Sequence, residues 1–231
     1  MATKKKTRKQ LLKEPDEFIT FTGKAITFVT GYQKQISYML CTIVAVALVF
    51  FGYRFFAQRA ETKAFSLLGQ IQSKYDTLIE TSSETAAYGQ VSEAFQSIIK
   101  KYDGNAGGKL ARVIYANISY DARQYEKAIA LYKQSLSDFK EDKFVYNMIL
   151  SNLGHAYQRV GDEQNAAAYF EKAASATDSP VREEALFNLG LMYAKLGEAA
   201  KSQKTLQEIL DNHPDSIYFD MVEEELSTLK K

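Results

Sequence analysis

Two stretches of this 231-residue chain share one pattern: LGHAYQRVGDEQNAAAYFEKAASATD at residues 153–178 and LGLMYAKLGEAAKSQKTLQEILDNHP at residues 189–214. Each copy begins with Leu-Gly, has a tyrosine three residues after that glycine, and continues with apolar residues at helical spacing. The two copies lie 36 residues apart. Self-similarity at this period is typical of a helical repeat array in which each copy contributes two packed helices.

The pattern resembles the tetratricopeptide repeat. The matching positions are Leu153, Gly154, Tyr157, Gly161, Ala166, Phe170 and Ala173 in the first copy and Leu189, Gly190, Tyr193, Gly197, Ser202, Leu206 and Pro214 in the second. The resemblance implies that the first glycine lets two helices approach closely and that the small residue of the second helix packs against it. Large residues then fill the layer between repeats. Ile209 departs from the pattern, because the family usually has a small residue there.

A weaker third copy spans residues 109–142. Ala128 repeats the position of Ala166 at a distance of 38 residues, and Ala116 replaces the glycine of the first helix. Upstream, residues 60–103 predict a divergent helical hairpin that ends in Asp103-Gly104-Asn105-Ala106-Gly107-Gly108. The prediction is an all-α fold with a repeat domain over residues 57–231. Its clearest repeats are 147–182 and 183–216, and residues 221–229 form a closing helix.

An apolar run at residues 36–56 precedes the repeats. From Ile36 to Tyr53 there are eighteen residues without a charge, and a helix of that length spans roughly 27 Å, close to the thickness of the bilayer's hydrocarbon core. Tyr38 and Tyr53 lie near the two ends, as in the aromatic belts of membrane helices. The run therefore predicts a transmembrane signal anchor. A buried helix of a soluble domain is the alternative.

A basic tail lies before this run. Residues 1–35 hold eight Lys or Arg and three acidic residues, a net charge of +5 in a chain whose total is +1. A basic flank stays on the cytoplasmic side, so we expect the repeat domain across the membrane. The adjacent apolar run favours lipid over nucleic acid as the partner of the tail. Within it, apolar residues at helical spacing from Phe18 to Tyr32 predict an amphipathic helix, with a disordered tail as the alternative.

Catalytic patterns are not visible in the sequence. Cys41 is the only cysteine and lies inside the apolar run, so an intrachain disulfide and a cysteine-based metal site are excluded. His155 and His213, the only histidines, belong to no metal-binding motif. Gly107-Gly108-Lys109 is followed by Leu110, where a phosphate loop requires Ser or Thr. We therefore predict a protein without catalytic residues, cofactor or metal.

The tetratricopeptide resemblance also implies a binding surface, because that family usually binds its partners along a concave groove formed by the first helix of each repeat. At the corresponding positions this chain has Asn117, Tyr120, Asp121, Ser151, His155, Gln158, Arg159, Phe187, Leu191 and Lys195. Some members grip a terminal carboxylate with lysine and arginine. Here the equivalent positions include Val113, Asn152, Glu184 and Asn188, which supply no cation, so we expect extended or helical protein segments instead.

The whole plan of basic tail, single anchor and repeats resembles the bacterial ancillary subunit family of the SecYEG translocon. That resemblance implies an inner-membrane protein with a cytoplasmic N-terminus and periplasmic repeats, and as partners translocon subunits, a periplasmic chaperone or emerging polypeptides. An adaptor for a secretin or for the division machinery would have the same plan. A helical sensor that binds a small ligand is the competing class. The partner and the oligomeric state stay open.

Overall fold

Helices joined by short connections make up residues 17–229, the part of the chain that the computed structural model describes. The helices are α1 (Glu17–Gly31), α2 (Gln33–Thr81), α3 (Glu84–Lys101), α4 (Ala106–Asp121), α5 (Tyr125–Asp138), α6 (Lys143–Arg159), α7 (Glu163–Ala174), α8 (Arg182–Lys195), α9 (Ala199–Asn212) and α10 (Phe219–Leu229). The chain divides into two units after Gln58. The predicted all-α fold is confirmed for the described residues.

The first unit contains α1 and the apolar part of α2. Within the described residues, α2 is the one helix long and apolar enough to cross a membrane, by length and composition, and none of its most apolar window is buried. Val49 and Phe51, for example, are 73% and 68% exposed. A helix is present as α1 where the sequence predicts one, and residues 1–16 of the predicted basic tail lie outside the described residues.

The second unit is a row of helical hairpins. From α3 onward each helix packs against the next, which gives the hairpins α4 with α5, α6 with α7 and α8 with α9. The part of α2 after Arg59 precedes α3 and adds Ala64, Leu68 and Tyr75 to the same core. Helices α2 and α3 are joined by Lys74, whose Nζ donates a hydrogen bond to the carbonyl oxygen of Gln90 at 3.3 Å. The closing helix α10 packs on α9 and buries Val222 and Leu226. Ile209, the departure from the repeat pattern, is fully buried.

The repeat glycines make room for a large side chain. A Cβ on Gly154 would lie 2.6 Å from the ring of Phe170, and one on Gly190 would lie 2.5 Å from Leu206. The atoms nearest to each glycine thus belong to the large residue of the second helix, which lies one turn beyond the small residue that the resemblance implies. In the weaker copy Ala116 and Tyr132 hold the equivalent positions, and both are buried.

The turn inside each of these hairpins uses a left-handed backbone. Gly161 and Gly197 both have φ of +76°, and Arg123 has φ of +61° at the matching position of the weaker copy. Glycine adopts this conformation without steric cost, whereas a residue with a Cβ is strained there. The backbone geometry is thus the same in three hairpins, although only two of them carry the glycine.

Helix α4 begins earlier than the sequence predicts. Gly107 and Gly108, assigned to the end of the preceding hairpin, lie in its first turn and are buried. A Cβ on Gly107 would lie 2.7 Å from that of Ala64, so the glycine is needed for close packing on α2. Glu61 accepts hydrogen bonds from the backbone N–H groups of Ala106 and Gly107 at 3.2 and 3.0 Å. An internal carboxylate therefore occupies this helix N-terminus, where an anion is favoured.

Helix α4 also carries a buried cation. Arg112 is 6% exposed and its guanidinium bonds both Asp103, just after α3, and Asp138, the last residue of α5. Lys109 lies 3.8 Å from the same Asp138 carboxylate. The clear repeats bury Leu150 and Leu186 at the matching positions. The weaker copy therefore uses an ion-paired arginine where the others use apolar contact.

Candidate functional site

A small cavity opens between the first helices of two adjacent hairpins. It has a volume of about 190 Å³ and is lined by Tyr120 of α4, Tyr132 of α5, and Asn152 and His155 of α6. We call the surface along α4, α6 and α8 around this cavity the first-helix groove. Two phenol rings, an amide and an imidazole together offer aromatic faces and several hydrogen-bonding groups in one recess.

The floor of the cavity is held by a hydrogen-bond network. The hydroxyl of Tyr132 donates to Oδ1 of Asn117 at 2.6 Å, and Nδ2 of Asn152 donates to the same oxygen at 3.4 Å. Burial raises the pKa of Tyr132, and the charge of Asp121 raises it further. The phenol therefore stays neutral at physiological pH and keeps its role as donor. The network fixes the amide of Asn117 at the surface of the groove.

His155 connects two repeats across the groove. Its Nε2 lies 2.6 Å from Oε1 of Glu184 on α8, and its ring stands edge-on to Phe170 with centroids 5.0 Å apart. Asn188 donates from Nδ2 to the backbone carbonyl of Glu184 at 2.9 Å. The imidazole is therefore held in position by an apolar ring on one side and a carboxylate on the other.

An aromatic and cationic cluster lies beside the cavity. Nε of Arg159 donates to the hydroxyl of Tyr125 at 3.2 Å, and the guanidinium stands 5.5 Å from the centre of that ring. Tyr120 meets Tyr125 edge to face, with centroids 5.4 Å apart. Cation–π and aromatic contacts of this kind hold the side chains in defined positions. The cluster forms a wall that a partner can contact without rearranging it.

The groove becomes acidic toward the first hairpin. Although Asp121 is exposed overall, partial desolvation by its neighbours raises the pKa of its carboxyl, and the nearby charge of Glu84 raises it further. The pKa of the Tyr75 hydroxyl is raised by burial and then by the charges of Asp121 and Glu84. These shifts show that the carboxylates of α3 and α4 act on the same part of the surface.

Most of the residues predicted for the groove are accessible, and one is not. Asn117, Asp121, Arg159 and Lys195 are exposed, and Tyr120, His155, Gln158, Phe187 and Leu191 are half-buried. Ser151 is only 2% exposed, so its assignment to the groove was wrong. It lies in α6 on the side that packs into the core, where its small volume suits the contact between helices.

Three aromatic residues of this surface were not predicted as groove residues. Tyr132 belongs to a second helix, lines the cavity and donates its hydroxyl to Asn117 of the first helix. Tyr125 begins α5, and Tyr218 comes from the connection to α10, where it stacks on Phe187 with centroids 5.1 Å apart. Repeat positions describe first helices, so they carry no signal for residues supplied by second helices or connections.

The other candidates for chemistry have structural partners. His213 accepts a hydrogen bond from Arg182 at 2.9 Å through Nε2, and its Nδ1 lies 3.2 Å from Glu183. Within residues 17–229, no three metal-ligating side chains of the His, Cys, Asp and Glu types lie together. Cys41 is exposed on α2. The absence of enzymatic activity stays a prediction.

Known protein families match the repeat region of this chain. A family described as tetratricopeptide repeat-like domain matches residues 31–154, more than half of the chain. Two families described as tetratricopeptide repeat match residues 149–179 and 184–216. The tetratricopeptide resemblance read from the sequence is thereby confirmed.

Individual proteins resemble this chain over a short stretch or at low sequence identity. Response regulator aspartate phosphatase H of Bacillus subtilis (strain 168) is 31% identical over 98 residues, which are 40% of this chain and 26% of that protein. The crystal structure of a tetratricopeptide repeat protein from Parabacteroides merdae has a TM-score of 0.58 at 16% identity, covering 71% of this chain and 60% of the other. BtubC from P. vanneervenii has a TM-score of 0.55 at 14% identity, covering 81% and 78%. Likeness at these identities shows the fold alone.

Proposed function

Since the chain belongs to the tetratricopeptide repeat-like domain family, we propose that it is a membrane-anchored scaffold whose first-helix groove binds segments of other proteins. Tetratricopeptide domains generally bind proteins, so the class of function follows from the family. The observation that carries the proposed site is the cavity lined by Tyr120, Tyr132, Asn152 and His155. It is the recess where side chains of three helices converge on one surface.

The chemistry of the groove suits a polypeptide. A bound segment presents amide N–H and C=O groups, which the amide of Asn152 and the imidazole of His155 can match as donor or acceptor. Its apolar side chains can pack on the rings of Tyr120 and Phe187, which are half-buried and therefore already held in place. Rigid aromatic residues are effective anchors in protein interfaces because little side-chain entropy is lost on binding.

Membrane anchoring is the second part of the proposal. The apolar part of α2 exposes large side chains along its whole surface, and residues 36–53 carry no charge. In water such a surface is unfavourable, whereas in a bilayer the helix satisfies its own backbone and its side chains match the lipid. The basic residues before it favour an N-terminus in the cytoplasm and repeats on the periplasmic face.

The resemblance to the ancillary translocon subunit family supports one choice of partners. On that basis we propose that the repeats associate with translocon subunits and with a periplasmic chaperone, close to emerging polypeptides. The alternative within the same class is an adaptor for another envelope assembly, such as a secretin or the division machinery. The identity of the bound proteins separates the two.

Affinity purification with groove variants tests the site. Full-length protein is cross-linked in membranes and purified alongside Tyr120→Ala and Phe187→Ala, and the captured proteins are identified by mass spectrometry. Each ring packs partly on the core, so we expect the groove variants to melt at a lower temperature than the wild type, to stay folded under the assay conditions and to lose the specific partners. Gln164→Ala, on the exposed side of the second helix α7, is the matched control and should keep them. Full capture by both groove variants would move the site elsewhere on the repeats.

The anchor and the partner class are tested in the same preparation. A version that lacks the residues before Gln58 should leave the membrane fraction and keep its repeat domain folded. Protease added to intact spheroplasts should digest the repeats and leave the N-terminal tail protected. Capture of translocon subunits or an envelope chaperone by the full-length protein supports the translocon proposal. Capture of a secretin or division protein keeps the scaffold and rejects that assignment.

A further inference from the structure

Helix α1 exposes an apolar face. The large apolar side chains of residues 21–32 are between 50% and 71% exposed, and they belong to Phe21, Ile26, Phe28, Val29 and Tyr32. At 3.6 residues per turn these five side chains fall within one arc of about 160°, which also holds Thr22 and Ala25. Such a face is unfavourable in water, which indicates that the native environment of α1 covers it.

The opposite face of α1 is small and weakly polar. Its residues are Gly23, Lys24, Thr27, Thr30 and Gly31. The hydroxyls of Thr27 and Thr30 donate to backbone carbonyl oxygens one turn earlier, both at 2.9 Å, so they need no acceptor outside the helix. With 15 residues α1 is roughly 22 Å long, which is too short to cross a hydrocarbon core of about 30 Å. A helix with these two faces suits the surface of a bilayer instead.

The position of α1 beside the apolar run ties it to the same membrane. Only Tyr32 separates α1 from α2, and the uncharged run starts at Ile36. Four residues of helix rise about 6 Å, which is close to the thickness of the headgroup layer on one side of a bilayer. If the run spans the membrane, the end of α1 lies in that layer. The rings of Phe28 and Tyr32 pair there with centroids 4.9 Å apart, and aromatic rings favour this depth.

The charges around α1 complement anionic phospholipid. Residues 18–60 contain no acidic residue, and their cations before the uncharged run are Lys24 and Lys34. The sequence before α1 adds six lysines and arginines and two carboxylates. A cationic segment next to an apolar face is attracted to negative headgroups, and no carboxylate of residues 18–60 repels them.

From these features we infer that α1 lies flat on the bilayer that α2 crosses and binds anionic phospholipid through its apolar face. Phe21, Phe28 and Val29 pack among the acyl chains next to the headgroups, and Lys24 pairs with phosphate. The chain turns at Gly31 and Tyr32, where the regular helix is interrupted between α1 and α2. The inference rests on the proposed anchor and adds a second membrane contact, which restricts the tilt of α2.

Spin labels on the full-length protein measure the depth of each face. In a Cys41→Ser background, single labels are attached through Ala25→Cys or Val29→Cys on the apolar face and through Thr27→Cys or Thr30→Cys on the other. The protein is reconstituted in vesicles of phosphatidylcholine and phosphatidylglycerol. Collisions with oxygen report acyl chains, and collisions with a water-soluble nickel chelate report water. We expect the oxygen-to-nickel ratio to be about threefold higher at positions 25 and 29, because the apolar face enters the acyl boundary.

The same labels can contradict the inference in several ways. Equal ratios typical of water on both faces would place α1 off the membrane, and equal ratios typical of acyl chains would place it inside the bilayer. Dipolar broadening between labels at position 25 would place a second copy of the chain on the apolar face. Each of these results would overturn the assignment of that face to lipid.

Matched variants assign the contact to the aromatic rings. Phe21→Gln combined with Phe28→Gln removes both rings, so the ratio at position 25 should fall about threefold, to the value at position 27. Thr27→Gln combined with Thr30→Gln adds the same side chains on the opposite face and should leave the ratio at position 25 unchanged. A ratio at position 25 that stays high without the two rings would contradict the inference.

The anchor proposal and the inference on α1 fail separately. A label attached through Val46→Cys, near the middle of the uncharged run, should collide with oxygen whether or not α1 binds the surface. If position 46 reports acyl chains while positions 25 and 27 both report water, the anchor stands and the inference is overturned. If position 46 reports water, the proposed anchor is overturned as well.

Discussion

The weaker copy and the two clear repeats build one geometry from different residues. The matched positions, 38 and 36 residues apart, are Arg112, Leu150 and Leu186 in the core, Ala116, Gly154 and Gly190 in the first helix, Arg123, Gly161 and Gly197 in the turn, and Tyr132, Phe170 and Leu206 in the second helix. In each hairpin a small residue faces a large one. The repeat is therefore defined by side-chain volumes and backbone angles. It tolerates a buried charge at Arg112 and a strained backbone at Arg123.

The largest expected effect concerns the buried arginine. Arg112→Ala should lower the free energy of unfolding by about 4 kcal/mol, because it leaves Asp138 half-enclosed without its main cation and opens a cavity. Thermal and chemical denaturation of the full-length protein in detergent measures the change. A loss of less than about 1 kcal/mol would show that the ion pairs of Arg112 stabilise the protein no more than an exposed salt bridge does.

A double variant sharpens this comparison. Arg112→Leu with Asp138→Ala recreates the residues of the next repeat, where Leu150 and Ala176 hold these positions. We expect most of the stability to return, since apolar packing commonly replaces a buried ion pair at no cost. If the double variant is as unstable as Arg112→Ala, the weaker copy needs its charges and does not follow the packing of the clear repeats.

Overpacking of the small position should have the next largest effect. Gly154→Leu should cost about 3 kcal/mol, because its Cβ alone would lie 2.6 Å from the ring of Phe170. Adding Phe170→Ala should recover part of the loss by vacating that space. The measurement is a double-mutant cycle on unfolding free energies. Strictly additive effects would mean that these two side chains do not share the same volume.

Substitutions in the turn should change stability least, and the change should have opposite signs in the weaker copy and in the clear repeats. Arg123→Gly should stabilise the protein by about 1 kcal/mol, because it removes a side chain from a left-handed backbone with φ of +61°. Gly161→Ala should destabilise it by about the same amount, at φ of +76°. Melting temperatures of the two variants check the pair. A stabilising Gly161→Ala would contradict the shared turn geometry.

Much of the fold could be predicted from the sequence, because the repeat pattern records packing. The spacing of Leu153, Gly154 and Tyr157 predicted the hairpins, and Ala116 and Ala128 placed the third copy. The start of α4 could not be found in this way. Gly107 and Gly108 look like loop residues locally, and their helical state depends on close contact with Ala64 and on capping by Glu61, which are distant in the sequence.

The site could be predicted only in part, for a related reason. Repeat positions identify residues on the first helices, which is how Tyr120 and His155 were found. They do not show that Ser151 turns into the core or that Tyr132 reaches the cavity from a second helix.

Photo-crosslinking from single positions tests directly whether the first-helix groove is the surface that binds partner proteins. A photoreactive amino acid is placed at position 158 or 195 in the groove, and at position 164 on the outer side of α7, in full-length protein in its native membrane. We expect discrete adducts with the same partner from positions 158 and 195 and none from position 164. Adducts from position 164 alone would contradict it.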